Sequence, residues 1–378
     1  MSQNRIRIFL FAVLVVACFI FLSEINFFPR LSPKSSSQKN LNLVSDVINL
    51  IRLNYIEEPD PAKTMNGAFK GLVDSLDPLS CYLDKQGVLQ YSKRQEPKLK
   101  EVGVVLFKSY GFFPQVVGLI EGSPAQKAGI QIGDYISAVN SRSTLTASML
   151  EANLDLKSEK AVPIKVKILR GTKSLEMNVE TSLLFEEPFS YMPATGTSGI
   201  LKINRLFPPC VKKIKEKIVP RLKEQKKALI LDLRDCYQGE MEEARKLINL
   251  FLKEPKIGYF EKKGAALEIL SSMDEAPLEK LPLIIWTNTA TMGNAEAVAG
   301  VLKEFNRAKI IGLETLGLVA KQDFFPLEDG SGMLLTSSIF HVNSGKTLWE
   351  TGVEPDIKIE SEDQGTPSYL KKSLSSPL

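Results

Sequence analysis

The sequence predicts a multidomain protein of mixed α/β and α+β class: an apolar N-terminal membrane segment, a small helical region, a partly open β-barrel and an α/β core. Three observations lead there. The 378 residues are enough for two or three separate cores. The hydrophobic period changes from helical spacing to short β-type runs near Val102. In the C-terminal half, near-continuous apolar strands alternate with helices, the pattern of a parallel sheet covered on both faces.

The N-terminus begins "MSQNRIR" and continues with fifteen unbroken apolar residues, Ile8 to Leu22. A basic start followed by an apolar run reads as a secretion signal or a signal anchor over residues 1–29. Fifteen helical residues cover about 22 Å, short of the ~30 Å hydrocarbon core, and continuing to Phe28 lengthens the span. "VVAC" (Val15 to Cys18) fits both a signal-peptidase site and a lipid-attachment cysteine, but "FIFL" after it would leave a very apolar mature start. An uncleaved anchor is therefore expected, with the body on the exported side; a cleaved signal would make the protein secreted.

Residues 30–40, "RLSPKSSSQKN", read as a tether. Residues 41–100 carry two stretches of helical spacing, "LNLVSDVINLIRLNYI" and "AKTMNGAFKGLVDSL". Residues 101–182 hold short strand-like runs ("VGVVLF", "QVVGLI", "VPIKVKILR") around one or two short helices. Residues 183–360 form the α/β region, with the strands "ALILDLRD" and "LPLIIWTN" and the helix "AEAVAGVLKEF". The polar end, residues 361–378, is expected to be disordered.

A net charge of +4 with 24% charged residues of both signs leaves no nucleic-acid footprint. The four cysteines (Cys18, Cys81, Cys210, Cys236) are far apart and the single histidine, His341, lies in a strand-like run, so neither a metal site nor a cofactor is expected. One histidine also argues against a Ser-His-Asp design.

The stretch "EGSPAQKAGIQIGDYISAVN", Glu121 to Asn140, is specific. Ser123 and Pro124 supply a cap and a first helical turn, Gly129 ends the helix, and Ile132-Gly133-Asp134 turns into a strand. It resembles the core of a PDZ domain of bacterial proteases. The resemblance implies that Val102, Gly103 and Val104 of "EVGVVLF" present backbone N–H groups to the terminal carboxylate of a bound peptide, a known recognition mode.

With that domain placed, residues 41 to 360 resemble the carboxyl-terminal processing peptidases, or tail-specific proteases. The matching residues are "NYIEEPDP" and "SLDPLSCYL" in the helical region, "ALILDLRDCYQG" for the strand ending in Asp-Leu-Arg, and "GVEPDI" for the closing strand. The family implies a serine nucleophile with a lysine base kept neutral by burial, and backbone N–H groups that stabilise the oxyanion. Its serine stands three residues before a glutamate. Its lysine follows 25 residues later, and a glutamine four beyond that. Glu296 anchors this register, which puts Gly293 at the serine position, Leu318 at the lysine position and Gln322 at the glutamine. Where the family has Asn-Pro-Gly-Gly, this chain has "CYQG", so Tyr237, Gln238 and Gly239 surround the expected oxyanion site. The dyad is absent from its positions.

The expectation is thus a membrane-tethered, exported pseudoprotease that binds polypeptide C-termini or unfolded proteins, or pairs with an active relative. Two alternatives stay open. One is an endopeptidase with a displaced nucleophile and base, drawn from Thr289, Thr291 and Lys321. The other is a scaffold whose PDZ domain binds nothing.

Overall fold

The fold is described from a computed structural model, which describes residues 36–94, 99–184, 187–223, 225–273, 275–360 and 365–375. The expected membrane segment lies outside these residues. Among the described residues no helix is long and apolar enough to cross a membrane.

The chain divides into two units, residues 1–66 and 67–378. In the first, helix α1 (Ser36–Asn54) leaves Leu43, Leu50 and Leu53 exposed, and α2 (Pro61–Asp74) begins after an Asp60 carboxylate that accepts from the N–H groups of Ala62 and Lys63. The second unit takes over within α2. It continues with strand β1 (Cys81–Leu83) and α3 (Lys85–Ser92), whose Asp84 cap accepts from Gly87 N at 2.8 Å. The helical reading of 41–100 missed β1, a three-residue run too short to show a period.

The barrel region comprises β2 (Lys100–Glu101), β3 (Val104–Phe107), β4 (Gln115–Leu119), α4 (Pro124–Lys127), β5 (Tyr135–Val139), β6 (Arg142–Ser143), α5 (Met149–Asp155), β7 (Lys157–Ser158), β8 (Ile164–Arg170) and β9 (Lys173–Val179). The sheet order is β3-β4-β5-β8-β9, antiparallel throughout, with β6 on β5 and β2 on β7. In β8, Ile164, Val166 and Ile168 point inward while Lys165 and Lys167 point out, the two-residue period of a half-buried strand. Ser123 caps α4 by accepting from Gln126 N at 3.2 Å, with Pro124 following. The turn at Ile132-Gly133-Asp134 is locked by Asp134, which accepts from Gln131 N and takes the Arg170 fork at 2.7 Å on each oxygen.

The core comprises β10 (Phe189–Met192), β11 (Ile200–Ile203), α6 (Cys210–Lys217), α7 (Val219–Leu222), β12 (Leu229–Asp232), α8 (Met241–Ile248), β13 (Glu254–Lys262), β14 (Glu268–Ser272), β15 (Leu283–Thr287), α9 (Asn294–Glu304), β16 (Lys309–Gly312), β17 (Ala320–Pro326), β18 (Gly332–Val342), β19 (Ile357–Lys358) and α10 (Thr366–Ser375). The main sheet runs β10-β11-β12-β15-β16-β19, parallel from β11 onward with β10 as an antiparallel edge. Its central strands β12 and β15 are buried at every residue, which is why they read as unbroken apolar runs. A second, antiparallel sheet, β1-β18-β13-β14 with β17 on β18, joins Cys81–Leu83 to the core. The Lys-rich stretch over 210–222 forms two short helices, α6 and α7, because Pro220 removes a donor.

The disordered tail is a correction. Residues 366–375 form α10, which covers one face of the main sheet. Tyr369 is fully buried against Trp286, and its hydroxyl donates to Thr287 O at 2.8 Å. Trp286 Nε1 donates to Ser373 Oγ, and Arg234 donates to Thr366 Oγ1. The contacts recur at 366, 369 and 373, a helical spacing that composition alone hides. Cys81, Cys210 and Cys236 are free and buried, and His341 stacks on Tyr259 within β18.

Candidate functional site

The bend between β15 and α9 is built by polar side chains that hold backbone. Asn288 accepts from Asp235 N and Ala290 N through Oδ1, and its amide donates to Asp235 Oδ1 at 3.0 Å. Gly293 stands at the start of α9 with φ +58° and ψ −120°, a conformation that favours glycine. Glu296, fully buried, then ties the bend to the 317–318 loop. Its Oε2 accepts from Gly293 N at 2.7 Å and Leu318 N at 2.8 Å, and its Oε1 accepts from Gly317 N at 2.5 Å. Burial raises the pKa of this carboxyl, while the Thr315 hydroxyl and the three N–H donors pull against the rise.

The two positions singled out in the sequence do meet. A Cβ on Gly293 would lie 3.7 Å from Leu318 O and meet nothing closer. Leu318 is 6% exposed, in an apolar cluster with Ala290 and Met292 from the bend and Val105, Val117 and Ile120 from the barrel domain. At Gly118 of β4 a Cβ would fall 2.4 Å from Ala290 Cβ and 2.8 Å from Asp235 Oδ1, so the barrel's backbone rests directly on the bend.

Around the expected oxyanion site, Gln238 O accepts from Leu206 N, and a Cβ on Gly239 would be 2.4 Å from Leu206 Cβ. Asn294 donates to Gly239 O at 2.8 Å. Tyr237 packs on the Leu318 cluster and donates to Glu101 Oε2 at 3.3 Å; burial and that carboxylate push its phenol pKa well up. Gln322 donates its amide to Leu79 O, so it is engaged outside the Gly293–Leu318 contact. Sequence reading did not anticipate Asp235, Ala290 or Met292. The first could have been suspected from its place at the end of "ALILDLRD"; the other two carry no polar signal.

The proposed substitutes lie elsewhere. Thr291 is fully buried, donates to Leu233 O at 2.9 Å and accepts from Asn288 N, so its hydroxyl is spent on the bend. Lys321 pairs with Glu268 on the surface and faces the Phe260 ring at 4.3 Å. Thr289 is half-buried beside Asn288.

In the barrel domain, β3 is the edge strand of its sheet, and Val104 and Leu106 share an apolar cluster with Ala152 of α5 and Leu156 just beyond it. Gly103 has φ +89°, and a Cβ there would meet Ser123 Cβ at 2.3 Å. The carbonyls of Val102 and Gly103 accept from Ala125 N and Ile120 N, and Val102 N donates to Leu156 O at 3.4 Å. The loop is thus rigid, and it enters an edge strand beside a helix.

Comparison with known proteins gives three domain matches. Residues 198–359 match peptidase family S41, residues 115–167 match a PDZ domain, and residues 26–87 match the N-terminal domain described for the activating protease CtpB. A probable CtpA-like serine protease of Staphylococcus aureus (strain COL) is 25% identical over 362 residues, covering 95% of this chain and 71% of that protein. The carboxy-terminal processing protease CtpA of Bacillus subtilis (strain 168) is 27% identical over 339 residues, covering 89% and 72%. A solved photosystem II D1 C-terminal processing protease shares the fold, with a TM-score of 0.71 at 20% identity over 87% of this chain and 90% of that one.

Proposed function

Because this chain carries a peptidase family S41 domain together with a PDZ domain and a CtpB-type N-terminal domain, we propose that it binds polypeptide C-termini and does not hydrolyse them. The observation that carries this reading is that Gly293 and Leu318 stand side by side, their N–H groups sharing Glu296 Oε2. A serine-lysine mechanism needs an oxygen nucleophile and an amine at these places, and the chain supplies a hydrogen and an isobutyl group. Glu296 meanwhile keeps the frame, and the PDZ residues Val105, Val117 and Ile120 cover Leu318 with apolar surface. Thr291 and Lys321 are committed to other partners, which speaks against a displaced dyad.

Binding is assigned to Gly103 and Val104 and the edge of β3; the N–H of Val102, the third residue expected there, is already held by Leu156 O. A peptide with an apolar C-terminal residue and a free carboxylate should bind about tenfold or more tightly than its amide, since charge-assisted bonds to N–H groups are worth roughly 1.5–3 kcal/mol. Fluorescence anisotropy measures both, and mass spectrometry of the same samples should return the peptide uncut. Equal affinity for acid and amide would remove the terminus-reading role.

The apolar run from Ile8 to about Phe28 is assigned as an anchor that leaves the body exported, where it meets unfolded chains or an active relative. Full-length protein should stay with membranes through an alkaline wash, and a chain lacking residues 1–30 should be soluble. Release of the full chain by the wash would refute the anchor.

A further inference from the structure

A cavity of about 230 Å³ lies beside the Leu318 cluster, and neither Gly293 nor Leu318 lines it. Its floor comes from strand register. Ser190 of β10 and Lys202 of β11 are direct cross-strand partners, and Asn204 follows two residues later on the same face. Ile200, two residues before Lys202, belongs to the apolar cluster beneath Tyr369, so the face turns from apolar to polar at Lys202. This happens at the carboxyl ends of the parallel strands β11 and β12, where open α/β sheets place ligands.

The charges there are mixed. Arg234, at the end of β12, gives its fork to Asp232 at 2.8 and 2.7 Å and stacks on Trp286 and Tyr369. The Lys202 ammonium makes no side-chain hydrogen bond or ion pair with another described residue, and its charge lowers the pKa of the Asp235 carboxyl against the rise that burial causes. The PDZ side contributes Ile120 and Glu121 to the lining, and Leu184 also lines the cavity. A polyanion would meet Glu121 and Asp235. A polypeptide segment carries N–H donors for those carboxylates as well as a carboxylate for Lys202. The volume is below the usual ligand cleft of about 300–1,000 Å³, which suits one residue and not an extended segment.

We infer that this cavity is a second recognition site, in which Lys202, with Ser190 and Asn204 beside it, takes a carboxylate of the bound polypeptide. The inference rests on the reading of the chain as a polypeptide binder. The carboxylate has two sources, an acidic side chain or the chain terminus, and the test separates them. Fluorescein-labelled decapeptides ending in leucine are prepared with a free or amidated terminus, and with one glutamate or glutamine scanned through the sequence. Binding to the native protein, Lys202→Met, Lys202→Arg and Ser190→Ala is measured by anisotropy, with circular dichroism as a check on folding.

If the site reads a side chain, glutamate at one position should bind about tenfold tighter than glutamine to the native protein. That preference should vanish in Lys202→Met and persist in Lys202→Arg. If it reads the terminus, the acid-over-amide preference should collapse in Lys202→Met instead. Ser190→Ala, the milder change, should weaken whichever preference is present. Peptides that bind Lys202→Met with every native preference intact would overturn the second site and leave the PDZ reading standing. Failure of the native protein to bind any peptide would overturn the polypeptide-binding reading and this inference with it.

Discussion

Gly293→Ser combined with Leu318→Lys is expected to convert this chain into a measurable endopeptidase against an unfolded substrate such as casein. The space exists, since a Cβ at 293 meets only Leu318 O, at 3.7 Å. A side chain at φ +58° and ψ −120° stores about 1–3 kcal/mol of strain, a cost to stability and not to placement. Serine alone should do nothing measurable, because without a base it stays protonated and weakly nucleophilic. A lysine at 318 enters the apolar cluster of Val105, Val117, Ile120 and Met292, and burial lowers its pKa, which suits it to act as base. A positioned base contributes typically ~10²–10⁴-fold. The sign of the accompanying stability change follows: a lysine with a folded pKa below its unfolded value, about 10.4, destabilises the fold increasingly as pH falls between the two. If Tyr237-Gln238 distorts the oxyanion position, Gln238→Gly as a third change should add about 10²–10³-fold. Folded double and triple variants that bind peptide yet release no fragments would show that the frame is not held in a catalytic geometry.

Glu296→Ala should be the most damaging single substitution at the site. It strips the acceptor from the N–H groups of Gly293, Gly317 and Leu318 in one step. Each buried donor left unmet costs about 1–3 kcal/mol, so a loss of about 3–9 kcal/mol is expected for the three, a large share of a typical total of ~5–15 kcal/mol. Glu296→Gln keeps one acceptor oxygen and should lose less. Urea denaturation of the three proteins checks the order. A change below about 1 kcal/mol for the alanine variant would mean that the carboxylate does not organise the bend.

Much of this was legible in the sequence because it depends on local chemistry. Ser123-Pro124 and the Ile132-Gly133-Asp134 turn declare a particular backbone path, and the structure follows it. The all-buried strands β12 and β15 announced a parallel sheet. The spacing from Gly293 through Glu296 to Leu318 followed from the family resemblance, and Glu296 joins both ends in space.

What was not legible depends on partners distant in the chain. Strand β1 exists because Cys81–Leu83 finds β18, some 250 residues on. Helix α10 exists because Tyr369 finds Trp286 and Arg234, and without them "TPSYLKKSLS" is merely polar. The packing of Val105 and Gly118 onto the bend likewise leaves no local mark, since an apolar residue and a glycine in a strand have many other uses.

The central claim is that a chain with a peptidase fold binds polypeptide ends without cutting them. The most direct measurement incubates the unmodified protein with unfolded casein and counts new N-termini by mass spectrometry. The expected result is no cleavage above a protein-free control. Cleavage well above that control, abolished by Thr291→Ala or Lys321→Ala in proteins that remain folded, would contradict it.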